Sequence, residues 1–171
     1  MRFPYDRPIE NVVAEYWSCV DYEYKKAFVI FVGISLLAFG FEMTNLTINR
    51  DDIWQIFKED DRLGYYLGRF GLGWLHYQVQ GAHIMPFFQM VQGIILMAMY
   101  GMVISYLWGL RKTSDIVIVS SIVCVFPYMA QVYTYNATMA TYPVAHLLSA
   151  VAVALSVRGG IVNICVAAVL Y

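Results

Sequence analysis

Asp51 and Asp52 are two adjacent carboxylates that follow an apolar run from Ala27 to about Leu46 and open the longest charged stretch of the chain. Neighbouring side chains point in different directions on a helix or a strand, so the two acids are not expected to serve one atom together. One could take a proton from an attacking hydroxyl as a general base, while the other binds a cation or anchors the loop. The alternative is that they cap the N terminus of a short helix, DDIWQIF. Their spacing does not separate these roles.

Two arginines farther along the same loop, Arg62 and Arg69, are seven residues apart. This separation is about two helical turns and puts both side chains on a common side of a helix. A guanidinium group forms bidentate hydrogen bonds with phosphate oxygens, so the pair is a candidate phosphate site at the membrane surface. Nonspecific contact with lipid headgroups, or pairing with a local aspartate, is the alternative.

The other candidates for substrate binding are Trp54, Tyr66 and His83. Trp54 belongs to the DDIWQIF segment, and Tyr66 is one of the aromatic residues that would anchor a second interfacial helix from Asp61 to Trp74. His83 and His76 lack a nearby third ligand, which argues against a metal site. Hydrogen bonding to a polar ligand or to the backbone is the favoured role for these histidines.

The composition indicates a membrane protein. Hydrophobic residues make up 60% of the 171 residues and charged residues only 13%, whereas a soluble domain is roughly half apolar. The net charge is -1 and no basic face is evident, so nucleic acid is not expected as a partner. Cys19, Cys124 and Cys165 show no metal-like spacing, and we interpret them as small hydrophobic residues rather than disulfide partners.

Apolar runs predict an all-α fold, a polytopic helical membrane protein with about four to five transmembrane helices, since roughly 20 apolar residues cross a bilayer as a helix. The chain is uncharged from Phe70 to Leu110 and again from Ile116 to Val157, where a turn at Asn136 to Pro143 would separate two helices. The last run has eleven residues from Ile161 and reaches only about 16 Å, so we expect the final span to be cut short. The predicted divisions are a cytoplasmic or interfacial segment (1–26), the first transmembrane helix (27–46), an outer loop with interfacial helices (47–82) and transmembrane helices two to five (83–171).

Lysine and arginine residues orient the spans by the positive-inside rule. If the N terminus is cytoplasmic, seven of the eleven basic residues fall inside, including Lys25, Arg111 and Arg158. The four basic residues on the other side are accompanied by the acids of the outer loop. We therefore predict a cytoplasmic N terminus and an outer loop that faces away from the cytoplasm. The segment from Val12 to Lys25 is either an interfacial helix or a polar lead-in to the first span.

Three short motifs resemble a known family: NRDDIWQ in the outer loop, GRFG after it and HIMPFFQ at the start of the second span. With a first span whose N terminus is inside, they resemble the polytopic glucosyltransferases that modify bacterial O-antigen, including the phage serotype-conversion enzymes. These enzymes belong to the superfamily of integral-membrane glycosyltransferases that use lipid-phosphate sugars. The resemblance covers most of the chain and corresponds to the N-terminal part of such an enzyme.

The resemblance implies an inverting transfer of glucose from a polyprenyl-phosphate donor, undecaprenyl-phosphate-glucose, to an O-antigen polysaccharide on the periplasmic face of the bacterial inner membrane. It assigns the general base to Asp51, with Asp52 second, and the steadying of the donor phosphate to Arg69, with Arg62 second. Many relatives carry an arginine shortly after the acid pair, where this chain has Gln55. The lipid bilayer is a further partner. No cofactor is assigned, and a divalent cation is the one candidate.

Two other functions are compatible with the sequence. A non-catalytic membrane subunit, or a flippase for a lipid or glycolipid, would use the outer loop to bind a partner or a headgroup. A flippase needs polar groups along a path through its spans, and the spans offer little beyond Glu42, His146 and scattered small polar residues. The other alternative is a truncated remnant of the transferase without activity.

Overall fold

The computed structural model of the chain describes residues 9–45, 86–134 and 139–170. These ranges contain helices and no strand, which confirms the predicted all-α fold. Seven helices follow one another within them: α1 (Ile9–Cys19), α2 (Tyr22–Thr44), α3 (Pro86–Leu107), α4 (Thr113–Cys124), α5 (Pro127–Tyr133), α6 (Thr141–Arg158) and α7 (Ile161–Leu170).

Three helices of the described ranges are long and apolar enough to cross a membrane: α2, α6 and residues Phe87–Leu107 of α3. A fourth span results if α4 and α5, which are bent by 57° at a short break, cross together. α7 is apolar but has only ten residues. The chain is therefore a multi-pass membrane protein, and its described part has three or four candidate spans.

The helix that forms the first span begins before the apolar run in the sequence. α2 starts at Tyr22, five residues before Ala27, and the backbone N–H of Lys25 donates to the Asp21 carbonyl at 3.1 Å. Hydropathy marks only the part of a helix that crosses hydrocarbon, whereas a helix continues as long as its backbone hydrogen bonds are made. The polar first turn of α2 is therefore continuous with the span.

Pro127 marks a break that the uncharged stretch from Ile116 to Val157 conceals. α4 ends at Cys124, and α5 starts with Pro127 as its first residue, a position where the missing N–H of proline removes no helix hydrogen bond. The backbone N–H of Val125 donates to the Ser121 carbonyl at 2.9 Å and completes α4 before the bend. The stretch predicted as two helices with one turn thus contains an additional bend.

Side chains at the start of α2 tie this helix to the connection between α3 and α4. The Tyr24 hydroxyl donates to the Leu110 carbonyl at 2.6 Å. The backbone N–H of Thr113 donates to the Glu23 carboxylate at 3.3 Å, and the Thr113 hydroxyl donates to the same oxygen. Gly109, with φ 71°, supplies the left-handed residue that the chain needs to turn after α3. We call this end of the bundle, which comprises residues 22–25 of α2 and the connection at residues 109–113, the clasp end.

Methionines and aromatic rings form the core toward the opposite end. The Phe39 and Tyr133 rings meet edge to face, 4.7 Å apart between centroids. The buried Cys124 thiol donates to a backbone carbonyl of α3 at 3.2 Å and packs as the predicted small hydrophobic residue, whereas Cys19 and Cys165 are free and exposed. The buried side chains around them include Phe31, Met90, Ile94, Met97, Met129 and Met139.

Candidate functional site

The predicted site residues all lie outside the described ranges. Asp51, Asp52, Trp54, Arg62, Tyr66, Arg69 and His83 fall within residues 46–85. That segment joins the end of α2 to the start of α3. The described residues therefore show the helix that precedes the segment and the helix that follows it. The roles assigned to these residues stay predictions.

Four segments of the bundle meet at one level near these helix ends. Phe39 of α2 contacts Tyr133 of α5. Gly93 of α3 lies so close that a Cβ atom there would be 3.0 Å from Tyr133 Cε1 and 2.8 Å from the Met139 carbonyl oxygen, just before α6. From this level α2 and α3 each extend roughly 8–10 Å toward residues 46–85. We call this region the loop end; it comprises residues 39–44, residues 86–93 and the first turn of α6.

Glu42 is the acid at the loop end among the described residues. It lies about one turn beyond Phe39, on the face of α2 that also carries the buried Ser35. Its Oε2 atom is buried and has no hydrogen-bond partner in the described part of the chain. A buried carboxylate oxygen without a partner is costly, and an ionisable residue inside a span generally marks a functional site. The signal in the sequence is a single acid in an otherwise uncharged run, which by itself indicates only one polar group in the span.

α3 adds two glutamines to the loop end through its first two turns. Gln89 is only 1% exposed, and the Oε1 atom of Gln92 is buried without a partner among the described residues. Thr141, the first residue of α6, is fully buried as well. Carboxylate and amide oxygens accept hydrogen bonds, and the hydroxyl groups of a sugar can donate them. The unpaired acceptors of Glu42 and Gln92 are both enclosed, so the described residues show them as buried polar groups inside the loop end.

His146 of α6 has a local role in packing. Its Nδ1 lies 2.8 Å from the Tyr142 carbonyl oxygen, and its ring meets the Tyr100 ring edge to face at 5.5 Å between centroids. Because a carbonyl oxygen only accepts, Nδ1 carries the proton in this hydrogen bond. His146 thus joins α6 to α3, as expected of a histidine that faces the interior of a bundle.

The described ranges offer no metal centre. Within residues 9–45, 86–134 and 139–170, no group of three or more His, Cys, Asp or Glu side chains could hold a metal ion. The groups that these ranges bring to the loop end are hydrogen-bonding side chains, with one carboxylate among them.

A comparison of the sequence with models of known protein families found a match. A family model described as Glucosyl transferase GtrII matches residues 40–171. The matched range contains the last turn of α2 with Glu42, all of residues 46–85 and every helix from α3 to α7. The comparisons with curated proteins and with solved structures gave no match.

Proposed function

Because the chain belongs to the Glucosyl transferase GtrII family, we propose that it moves glucose from undecaprenyl-phosphate-glucose to an O-antigen polysaccharide at the periplasmic face of the bacterial inner membrane. The family confirms the predicted resemblance and the predicted class of enzyme, a glycosyltransferase. The apolar helices and the family together give it a lipid bilayer, a sugar donor and a sugar acceptor as partners. The named donor and acceptor, the inner membrane and the cytoplasmic N terminus are parts of the proposal.

The observation that most supports this proposal is the overlap between the family match and the loop end. The match begins at residue 40 and so includes Glu42, both glutamines of α3 and the whole connecting segment with the predicted acids. A polyprenyl-phosphate sugar keeps its lipid tail in the bilayer and its sugar at the surface. Residues 46–85 connect two helix ends, so the predicted acids and arginines of this segment are the groups we expect to meet such a sugar.

In the proposed reaction, an acid takes the proton from an O-antigen hydroxyl as the hydroxyl oxygen attacks the anomeric carbon of the donor. The bond between that carbon and the phosphate oxygen breaks on the opposite face, so the configuration inverts. The polyprenyl phosphate leaves with the bonding electrons, and Arg69, with Arg62 second, stabilises its charge. Asp51 is the proposed base and Asp52 the second choice.

The remaining predicted residues contact the substrates in this scheme. Trp54, Tyr66 and His83 would contact the sugars. Glu42 is a third acid, at the end of α2 from which the acid pair follows, but its Oε2 atom is buried, so we do not expect it to act as the base. The three acids make different predictions for single substitutions.

The test compares glucose transfer by Asp51→Asn, Asp52→Asn, the double variant and Glu42→Gln. Each substitution replaces a carboxylate with an amide of nearly the same size, which keeps the packing but removes the ability to take a proton. The substitution that removes the general base should therefore lower the rate of transfer by about 10²–10⁴-fold. We expect this loss in Asp51→Asn and in the double variant. Glu42→Gln is expected to stay near the wild-type rate, as is Glu10→Gln, a matched control at an exposed acid of α1.

The outcomes separate the function from the choice of residue. Unchanged transfer in both single aspartate variants and in the double variant would exclude a base in the outer loop. A loss confined to Glu42→Gln would move the base to α2 and leave the reaction in place. A wild-type chain that transfers no glucose would contradict the proposed function.

A further inference from the structure

α1 has an apolar face that is largely uncovered by the described residues. Val13, Tyr16 and Trp17 lie on one side of the helix and are 59%, 73% and 41% exposed. Asn11 and Ser18 occupy the opposite side. An exposed apolar face of this kind, on a helix attached to a membrane span, indicates an interaction surface.

Contacts at the junction of the two helices fix where α1 lies along α2. Val20 and Asp21 are the whole connection between them. The Trp17 ring meets the Phe28 ring edge to face at 5.7 Å, and Lys25 Nζ lies 5.9 Å from the centroid of the Trp17 ring. Phe28 is about 9 Å into α2, so Trp17 lies beside the first two turns of a span.

We propose that α1 is a membrane-surface helix whose Val13, Tyr16 and Trp17 face is embedded in the headgroup and upper acyl region of the leaflet at the clasp end. Tyrosine and tryptophan favour this depth, because their rings are apolar while the hydroxyl and the indole N–H still reach polar groups. The two-residue connection keeps α1 at the surface of the bilayer that α2 crosses. The contact between Trp17 and Phe28 sets its depth.

The charge of α1 indicates that its apolar face, rather than attraction to anionic lipid, provides the binding. Its charged residues are Glu10 and Glu15, whereas surface helices that depend on anionic lipid are rich in lysine and arginine. Embedding is therefore expected in zwitterionic and in partly anionic bilayers alike.

An embedded α1 would hold the first span at a fixed position along the membrane normal. α2 is one continuous helix of 23 residues, or about 34 Å. Its position at the clasp end thus sets the height of Glu42 and of the loop end.

Depth-dependent quenching in vesicles tests the proposal. The whole chain, with its native cysteines replaced by alanine, carries one new cysteine labelled with the fluorophore NBD. Tyr16→Cys and Val13→Cys report on the apolar face, and Asn11→Cys is the matched control on the polar face. The vesicles are phosphatidylcholine, with or without phosphatidylglycerol, and some of their lipids carry a nitroxide near the headgroup.

We expect NBD at Tyr16→Cys and at Val13→Cys to be quenched by the nitroxide lipid in both kinds of vesicle. It should also be shielded several-fold from aqueous iodide relative to Asn11→Cys. Equal iodide quenching at all three positions would overturn the proposal, because the apolar face would then be in water. Shielding from iodide without quenching by the nitroxide lipid would also overturn it, because protein would then cover the face.

Discussion

Gly93 lets α3 approach the chain that leads into α6. A Cβ atom there would lie 2.8 Å from the Met139 carbonyl oxygen, and a backbone oxygen cannot rotate away as a flexible side chain can. Gly33 of α2 differs, since a Cβ atom there would meet no described atom within 4 Å. Small residues commonly allow membrane helices to approach one another in this way. Gly93 therefore supports the packing of the loop end.

Gly93→Ala should destabilise the bundle by about 1–3 kcal/mol, as overpacking of a close contact does. Gly33→Ala is the matched control and should be neutral or stabilising, because alanine favours a helix over glycine by about 1 kcal/mol. The measurement is the midpoint of thermal unfolding in detergent, followed by the helical circular dichroism signal. Equal midpoints for the two variants would contradict the close approach at Gly93.

The candidate site could be predicted from the sequence only in part. The acid pair, Arg62 and Arg69 stand out because a charge is a local signal in an apolar chain, although their roles stay predictions. The buried oxygen of Glu42 could not be predicted in this way. α2 is apolar on nearly all sides, so hydropathy does not show which face packs against other helices.

Hydropathy predicts the presence of the helices but not the place where one of the candidate spans bends. Apolar runs were sufficient to predict an all-α chain with several spans, because a bilayer demands long apolar helices. Hydropathy does not show the 57° bend between α4 and α5, because the stretch on both sides of the bend is uncharged and mostly apolar. Pro127 was the available signal, because proline in a helical pattern ends or bends the helix. The polar first turn of α2 lies outside the hydrocarbon, so the apolar run that begins at Ala27 does not include it.

The ends of the helices allow a test of the proposed orientation. Ser114 at the start of α4 and Asn45 at the end of α2 are both exposed. In a chain without its native cysteines, Ser114→Cys should react with a membrane-impermeant maleimide in inside-out vesicles only, because the clasp end is proposed to face the cytoplasm. Asn45→Cys should react in right-side-out vesicles only. The reverse pattern, or reaction of both positions on one side, would contradict the orientation.

The whole molecule has two ends of different character. The clasp end joins α2 to the connection between α3 and α4 through the hydrogen bonds of Glu23 and Tyr24. The loop end carries buried acceptor oxygens on Glu42 and Gln92 and leads into the segment with the predicted acids. A site for transfer at a membrane surface needs such a scaffold, in which packed helices hold the groups that meet the substrate.

Transfer of glucose by membranes that contain the chain tests the central claim most directly. Right-side-out vesicles receive labelled undecaprenyl-phosphate-glucose and an O-antigen lipopolysaccharide, and vesicles without the chain are the control. We expect the label to appear in the lipopolysaccharide, with an anomeric configuration opposite to that of the donor. A label no higher than in the control, or a product that keeps the configuration of the donor, would contradict the claim.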